Sequence, residues 1–182
     1  EEDYLLLLPA AACFFLLLAF PYDSGLKQLP LPARLPSAER ERLLDFYHRL
    51  LQRHLHGKPA NMTLLSKNAA FAGWPPYLLE RYPDARIVVC ARRPDSALAS
   101  QLRALGPARA VFGTDSSGEA TRALFTALYD DFYRSVAAFL RGAPTNSVRV
   151  VIQEDMHADS APVLAALQAF IAPGSGIGCG RR

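Results

Sequence analysis

The sequence predicts an α/β fold in which helices cover a parallel sheet on both faces. Short apolar segments rich in β-branched residues alternate with longer segments whose apolar residues recur at helical spacing. Strands that alternate with helices form parallel sheets, because a parallel connection needs a long crossover. The 182 residues are enough for one domain with its own core, and 51% of them are hydrophobic against 20% charged.

Charge and cysteine content narrow the classes of partner. The formal net charge is +3 with a pI near 8.9, which suits an anionic ligand but does not predict a nucleic-acid partner. The three cysteines, Cys13, Cys90 and Cys179, are not spaced like metal ligands, and their odd number disfavours a framework of disulfides. We therefore expect no metal site, no disulfide framework and no nucleic acid.

An almost unbroken apolar run occupies residues 4–20. A signal peptide begins with basic residues, whereas Glu1, Glu2 and Asp3 precede this run. A transmembrane helix needs about 20 apolar residues, and this run is slightly shorter and contains Pro9. We favour a buried helix or helix pair that is interrupted near Pro9. A protein partner or a membrane contact through residues 4–20 stays open. The cellular location, cytoplasmic or Golgi and membrane-associated, also stays open, because it depends on an N-terminal part that we expect to be missing from this sequence.

The next segment is predicted to be a loop followed by an amphipathic helix. Residues 21–36 are rich in Pro and Gly and predict a connecting loop. Ser37 is the predicted N-cap, and Gly57 the predicted end of the helix. The apolar residues between them recur every three or four positions: Leu43, Phe46, Tyr47, Leu50, Leu51 and Leu55.

Two strands and a short helix are predicted next. Residues 62–66 form a short apolar run that predicts a buried strand, with Lys67 directly after it. Pro75 and Pro76 open a short helix. Residues 85–91 contain three consecutive β-branched residues, Ile87, Val88 and Val89, and carry the strongest strand signal in the chain.

Two further helices flank a loop. Pro94 is suited to the first position of a helix that we predict to run to Leu105, where Gly106 and Pro107 stop it. Residues 106–117 are predicted to be a loop. Residues 118–140 then place their large apolar side chains on one stripe, which predicts a long helix.

The last elements are a third strand, a final helix and a tail. Residues 148–152 predict the strand, and Ser160 caps a helix that ends near Ile171. Residues 173–182 are Gly-rich and predict a flexible tail, since they follow no strand and lack the spacing of a phosphate loop. The domain is thus expected to span residues 1–172.

Polar side chains follow each predicted strand. Lys67 follows the first, Arg92 and Arg93 follow the second, and Glu154 and Asp155 follow the third. In open parallel sheets, ligands bind outside the carboxyl ends of the strands. We therefore take these residues as the candidates for a binding site.

The turn after the second strand has the features of an anion site. Arg92 supplies a planar fork that matches phosphate oxygens, and a helix begins at Pro94 with free N–H groups. Ser100 lies in the second turn of that helix, where side chains lean back toward the N-terminus. From the pattern alone, solvent-exposed roles for Arg92 and Ser100 remain an alternative, and the same holds for Lys67.

Several segments together resemble the sulfotransferase family, in the broad branch that includes tyrosylprotein-type and bacterial relatives. Ser66-Lys67-Asn68 matches the family's strand-end lysine, and residues 82–88 match its F-P-D-A-R-F-V element. Arg92 and Ser100 keep the family's eight-residue spacing. Residues 148–171 look like the later V-x-Y-E-D-L element.

The resemblance implies a three-layer fold like that of P-loop proteins and a cofactor, 3′-phosphoadenosine 5′-phosphosulfate (PAPS). It implies that Arg92 and Ser100 hold the 3′-phosphate and that Lys67 stabilises the bridging oxygen as the sulfuryl group leaves. Glu1-Glu2-Asp3 looks like the acidic stretch of this branch of the family. The resemblance implies that Glu1 or Glu2 is the base that deprotonates the acceptor, and we take Glu2 as the candidate. The acceptor would be a hydroxyl or amine of a small molecule, carbohydrate or protein.

The family's Gly-rich 5′-phosphosulfate loop has no counterpart in residues 1–182. We therefore expect the N-terminal βα unit of the fold to be absent from this sequence and the loop to lie upstream or on another chain. The alternative is a domain without activity that serves as a structural subunit of a larger complex, with association of that complex with a membrane left open.

Overall fold

The computed structural model describes residues 3–13, 15–28, 31–59, 62–112 and 115–171. Within these ranges the chain is a mixed helix and strand structure with a small parallel sheet, as the α/β prediction requires. The predicted tail over residues 173–182 lies outside the described residues.

The sheet consists of two strands in the described part of the chain. Strand β1 spans Ile87–Ala91 and strand β2 spans Val148–Ile152, and both were predicted. They pair in parallel, with Ile87 opposite Val148 and Ala91 opposite Ile152. Because the register is parallel, the residues that follow the two strands emerge at the same edge of the sheet.

The strand predicted over residues 62–66 is wrong. This segment has no regular secondary structure and belongs to no sheet. A strand is stable only when a ladder partner satisfies its backbone groups, and within the described ranges β1 pairs with β2 alone. The segment is also not buried as predicted, since Leu65 is 86% exposed.

Helix α2 spans Ser37–Leu55 and confirms the amphipathic pattern. Ser37, the predicted N-cap, is instead the first helical residue, and the preceding Pro36 makes no side-chain cap. Gly57 lies just beyond the helix with a φ of +75°, a conformation that favours glycine. The buried stripe of α2 comprises Leu43, Leu44, Tyr47 and Leu51.

Helix α3 spans Pro75–Arg81, and helix α4 spans Pro94–Phe112. The predicted stop at Gly106 and Pro107 is therefore wrong, because both residues lie inside α4. Pro107 removes the N–H that would bond to the carbonyl of Arg103, which lies on the exposed side of the helix. Burial of Leu105 on the opposite side favours continuation of the helix.

Helix α5 spans Glu119–Leu140 and begins at a buried carboxylate. Asp115 Oδ2 accepts hydrogen bonds from the backbone N–H of Thr121 at 2.7 Å and from its hydroxyl at 2.6 Å. Asp115 Oδ1 accepts from the N–H of Gly118 at 3.2 Å. The segment predicted as a loop thus includes the cap of α5, which satisfies N–H groups that have no partner within the helix.

The chain ends, within the described ranges, in two helices. Helix α6 spans Gln153–Ala158, and helix α7 spans Ser160–Ile171. Arg86, directly before β1, donates to the carbonyl oxygens of Phe170 and Ile171 at the end of α7. This contact places a cation at the negative end of the helix dipole.

The apolar run forms a 3-10 helix over Asp3–Ala10 and a short helix α1 over Leu16–Ala19. Pro9 lies inside the 3-10 helix, and the interruption that we predict near Pro9 comes two residues later. It follows at Ala11, whose φ is +52°. No helix in the described part of the chain is long and apolar enough to cross a membrane.

Two clusters of buried side chains form the core. The first surrounds α2 and includes Cys13 and Trp74, and the second joins α1, α4 and α5. Phe15 packs against both clusters. The apolar run therefore contributes to the core of the domain, as the buried interpretation requires.

Leu17 tests this placement, because it is 1% exposed and packs in the second cluster. We predict that Leu17→Ala lowers the free energy of unfolding by about 2–5 kcal/mol, since it leaves a cavity. Leu8 in the same run is 47% exposed and provides the control. Urea denaturation should show Leu8→Ala within about 0.5 kcal/mol of wild type, and equal losses for both variants would contradict the packing.

Asp115 generates a pH-dependent prediction. Hydrogen bonds from the Thr121 hydroxyl, followed by backbone N–H groups, hold the pKa of the Asp115 carboxyl below its ordinary value. A lowered pKa in the folded state contributes stability above the ordinary value, and this contribution is lost as pH falls through the folded pKa. Asp115→Asn should therefore destabilise the chain more at pH 6 than at pH 3.

Urea denaturation of wild type and Asp115→Asn at both pH values measures this difference. Asp84→Asn is the control, because Asp84 is exposed and its side chain makes no hydrogen bond or ion pair within the described part of the chain. A stability difference for Asp115→Asn that does not depend on pH would contradict the assigned role of the carboxylate.

Candidate functional site

The carboxyl ends of β1 and β2 bring together three of the predicted polar residues. Arg92 and Arg93 follow β1 directly, and Glu154 lies two residues after β2. The backbone N–H of Arg93 donates to Glu154 Oε1 at 3.3 Å. The ends of the two strands therefore meet at Arg93 and Glu154.

The Arg92 side chain turns toward the start of α4. Its Nη2 donates to the carbonyl oxygen of Ser96 at 2.6 Å. Its Nε is buried and has no hydrogen-bond partner among the described residues. A buried N–H without an acceptor is unfavourable, so this guanidinium retains one donor for which a bound anion would be a suitable partner.

Ser100 lies one helical turn after Ser96. In an α-helix the N–H of residue 100 donates to the carbonyl of residue 96, which is the carbonyl that Arg92 also contacts. Arg92 and Ser100 thus approach the same peptide carbonyl from two sides. The Ser100 side chain is half-buried, and no hydrogen bond engages its hydroxyl in the part of the chain that the structure describes.

Tyr133 on α5 is a site residue that the sequence analysis missed. Its hydroxyl donates to the carbonyl oxygen of Arg92 at 2.7 Å. Burial raises the pKa of Tyr133, an effect that the nearby Arg92 charge partly offsets, so the hydroxyl is a donor at neutral pH. The available signal was the pair Tyr129 and Tyr133, which four-residue spacing places on one face of a helix.

Tyr129 extends this aromatic face toward α4. Its ring centroid lies 6.4 Å from that of Tyr133, and its hydroxyl is 3.4 Å from Gln101 Oε1. Burial is the main cause that raises the pKa of Tyr129. The two tyrosines join α5 to α4 next to Arg92.

Arg93 differs from Arg92 in its surroundings. Its guanidinium is exposed and forms an ion pair with Asp95 at 3.1 Å. The hydrogen bond from Arg93 lowers the pKa of the Asp95 carboxyl. An exposed pair of this kind contributes little to stability. Arg93 is thus exposed and already paired with a carboxylate, whereas the Nε of Arg92 is buried and has no acceptor among the described residues. Of the two arginines, Arg92 is therefore the one suited to a buried anion.

Lys67 does not occupy a strand end, because the strand predicted before it does not form. It is exposed and precedes a 3-10 helix over Ala69–Gly73, which the Asn68 side chain caps by accepting from the N–H of Ala70 at 3.1 Å. This 3-10 helix packs against α5, the helix that carries Tyr133. Glu2, the predicted base, lies outside the described residues.

Other features of the described residues do not add to this site. In the ranges that the structure describes, no group of three His, Cys, Asp or Glu residues could hold a metal ion. A mainly apolar groove of about 290 Å³ lies between β2 and α7. Its lining includes Asp155, Arg149 and Val163, and none of the predicted site residues Lys67, Arg92 or Ser100.

Comparison with known proteins gives one match. The model of a family described as the sulfotransferase family matches residues 24–172. The match includes Lys67, Arg92 and Ser100, whereas the apolar run over residues 4–20 lies before it. No curated protein and no solved structure matches the chain significantly.

Proposed function

The chain belongs to the sulfotransferase family, and from that premise we propose that it binds PAPS for sulfuryl transfer to a hydroxyl or amine. The observation that supports this most directly is the buried Nε of Arg92, which has no acceptor among the described residues and stands at the start of α4. PAPS carries the type of group that such a donor binds, a phosphate dianion on its ribose.

The residues around Arg92 fit the 3′-phosphate. A guanidinium offers planar N–H donors that match phosphate oxygens. The 19-residue helix α4 contributes the positive end of its dipole. Ser100, one turn from the carbonyl that Arg92 contacts, would donate its hydroxyl to the same phosphate. Arg92 and Ser100 therefore supply charge neutralisation and orientation at this end of the cofactor.

The other proposed roles concern the transfer itself. Bound PAPS would supply the sulfuryl group and release 3′-phosphoadenosine 5′-phosphate (PAP). Lys67 would place its ammonium at the bridging oxygen, where negative charge develops as the bond to sulfur breaks. Glu2 would accept the proton of the acceptor hydroxyl or amine.

The phosphosulfate end of the cofactor needs further donors. The described residues contain no Gly-rich loop between a strand and a helix, the arrangement whose N–H groups bind such an anion. Arg92 and Ser100 therefore account for the 3′-phosphate end alone. The acceptor is proposed by class only, as a small molecule, carbohydrate or protein, because a fold does not determine a substrate.

A structural role in a larger assembly is the second candidate function. Leu5, Leu8 and Phe20 are 52%, 47% and 58% exposed, and all three precede the family match. Contiguous exposed apolar residues mark contacts with proteins or membranes. In this alternative the sulfotransferase domain would serve as scaffold, and residues 4–20 would contact a partner.

We predict that calorimetric titration of this chain with PAP shows binding that depends on Arg92. Arg92→Ala should weaken it about 10- to 100-fold, since a hydrogen bond to a charged group contributes about 1.5–3 kcal/mol. Ser100→Ala should weaken it less. The controls are Arg53→Ala and Ser24→Ala, both at exposed positions outside the site. A folded wild type without affinity for PAP would contradict the proposed function.

Lys67 separates transfer from binding. We predict that Lys67→Ala slows transfer from radiolabelled PAPS about 10²- to 10³-fold when the assay includes the segment or chain that supplies the phosphosulfate loop. PAP affinity should change little, because the ammonium acts on the departing oxygen. Phenol, carbohydrate and tyrosine-peptide acceptors would be tested, with exposed Lys58→Ala as control. PAP binding without transfer to any of these acceptors would favour the structural role.

A further inference from the structure

The peptide that joins Arg92 to Arg93 is held at both of its polar ends. Its carbonyl, that of Arg92, accepts from the Tyr133 hydroxyl at 2.7 Å. Its N–H, that of Arg93, donates to Glu154 Oε1 at 3.3 Å. We propose that Tyr133 and Glu154 are positioning residues that clamp this peptide and thereby aim the Arg92 guanidinium at the start of α4. The inference rests on the proposed function of Arg92.

The clamp restrains the backbone on the C-terminal side of Arg92, beyond the last residue that the sheet holds. A peptide group is planar, so two hydrogen bonds at its opposite edges restrain the orientation of its plane, and attachment to the β1 ladder adds a third restraint. The orientation of this plane sets ψ of Arg92, whereas the β1 ladder holds the chain up to Ala91. The Cα of Arg92 is thus restrained from both directions, and its side chain leaves toward Ser96.

The two clamp residues come from different parts of the fold. Tyr133 belongs to α5, and Glu154 lies in the first turn of α6, directly after β2. The parallel register of β1 and β2 sets the height at which Glu154 meets Arg93. The clamp therefore joins α5, β1 and the β2–α6 connection at one peptide, and a shift of any of them would change the direction of Arg92.

The chemistry of the two groups suits these roles. Burial raises the pKa of Tyr133, with further increases from the charges of Glu154 and Asp95 and a decrease from Arg92. The hydroxyl thus stays a donor across the neutral range. A carboxylate close to a phosphate site repels the anion, so the negative charge of Glu154 opposes phosphate binding. The oxygen of Glu154 nevertheless favours binding indirectly, because it accepts the hydrogen bond from Arg93 that helps to orient Arg92. Glu154→Gln retains the acceptor and removes the charge.

The experiment uses the whole chain with Tyr133→Phe, Glu154→Ala and Glu154→Gln. Amide hydrogen exchange at Arg93 and calorimetric titration with PAP are measured for each variant, and the thermal unfolding midpoint records global stability. Tyr22→Phe and Glu80→Ala are matched controls at exposed positions. Since an intramolecular hydrogen bond contributes about 1 kcal/mol, Glu154→Ala should speed exchange at Arg93 about fivefold and weaken PAP binding to a similar degree.

Tyr133→Phe should also weaken PAP binding about three- to tenfold, with an unfolding midpoint close to that of Tyr22→Phe. Glu154→Gln should restore slow exchange at Arg93 and bind PAP at least as tightly as wild type, an outcome that a charge role for Glu154 would not produce. Unchanged exchange and unchanged PAP affinity in both Tyr133→Phe and Glu154→Ala would overturn the clamp.

Failure of the proposed function gives a different result. A wild-type chain that does not bind PAP contradicts the cofactor assignment, and exchange at Arg93 then decides the clamp alone. Faster exchange in Glu154→Ala, restored in Glu154→Gln, would support the clamp without the cofactor. Exchange that is equal in wild type and Glu154→Ala would overturn it.

Discussion

The parallel register between β1 and β2 is the constraint on which the candidate site depends. It sets Ala91 opposite Ile152, so the next residues of both strands emerge together and Glu154 reaches the N–H of Arg93. Helix α4 starts at the same edge, and its first turn receives the Arg92 guanidinium. Helix α5 then closes the arrangement from the other side through Tyr133. Without this register, the arginine and the contacts that orient it would lie apart.

The sequence predicted the elements that have a regular spacing of apolar residues or a run of residues with a strong preference for one secondary structure. The stripe of α2 and the β-branched run of β1 are examples, and Arg92 followed as the residue at the strand end. The strand predicted over residues 62–66 did not form, because a strand needs a neighbouring strand to pair with and its own sequence does not reveal whether one is present. The predicted end of α4 at Gly106 and Pro107 was also wrong, since the packing of Leu105 in the core outweighed these helix-breaking residues. Tyr133 could not be assigned, because its contact with Arg92 spans 41 residues.

The proposal that Arg92 binds the 3′-phosphate combines two observations, membership of the sulfotransferase family and the geometry at Arg92. The family match identifies the chemical class, and the buried Nε of Arg92 identifies a donor that is suited to a phosphate. Arg92 and Arg93 are neighbours, yet Arg92 contacts the carbonyl of Ser96 at the start of α4, whereas the guanidinium of Arg93 is exposed and pairs with Asp95. The difference between them lies in their contacts and could not be read from their residue type.

The central claim is that the Arg92 guanidinium binds the 3′-phosphate of the cofactor. Heteronuclear NMR of the Arg92 Nε–H, assigned with Arg92→Lys, tests it most directly during titration with PAP. Adenosine 5′-phosphate, which lacks the 3′-phosphate, is the control ligand. The account predicts that the Nε–H resonance moves to saturation with PAP and stays in place with adenosine 5′-phosphate. A resonance that stays in place while PAP binds, or that moves equally with both ligands, would contradict it.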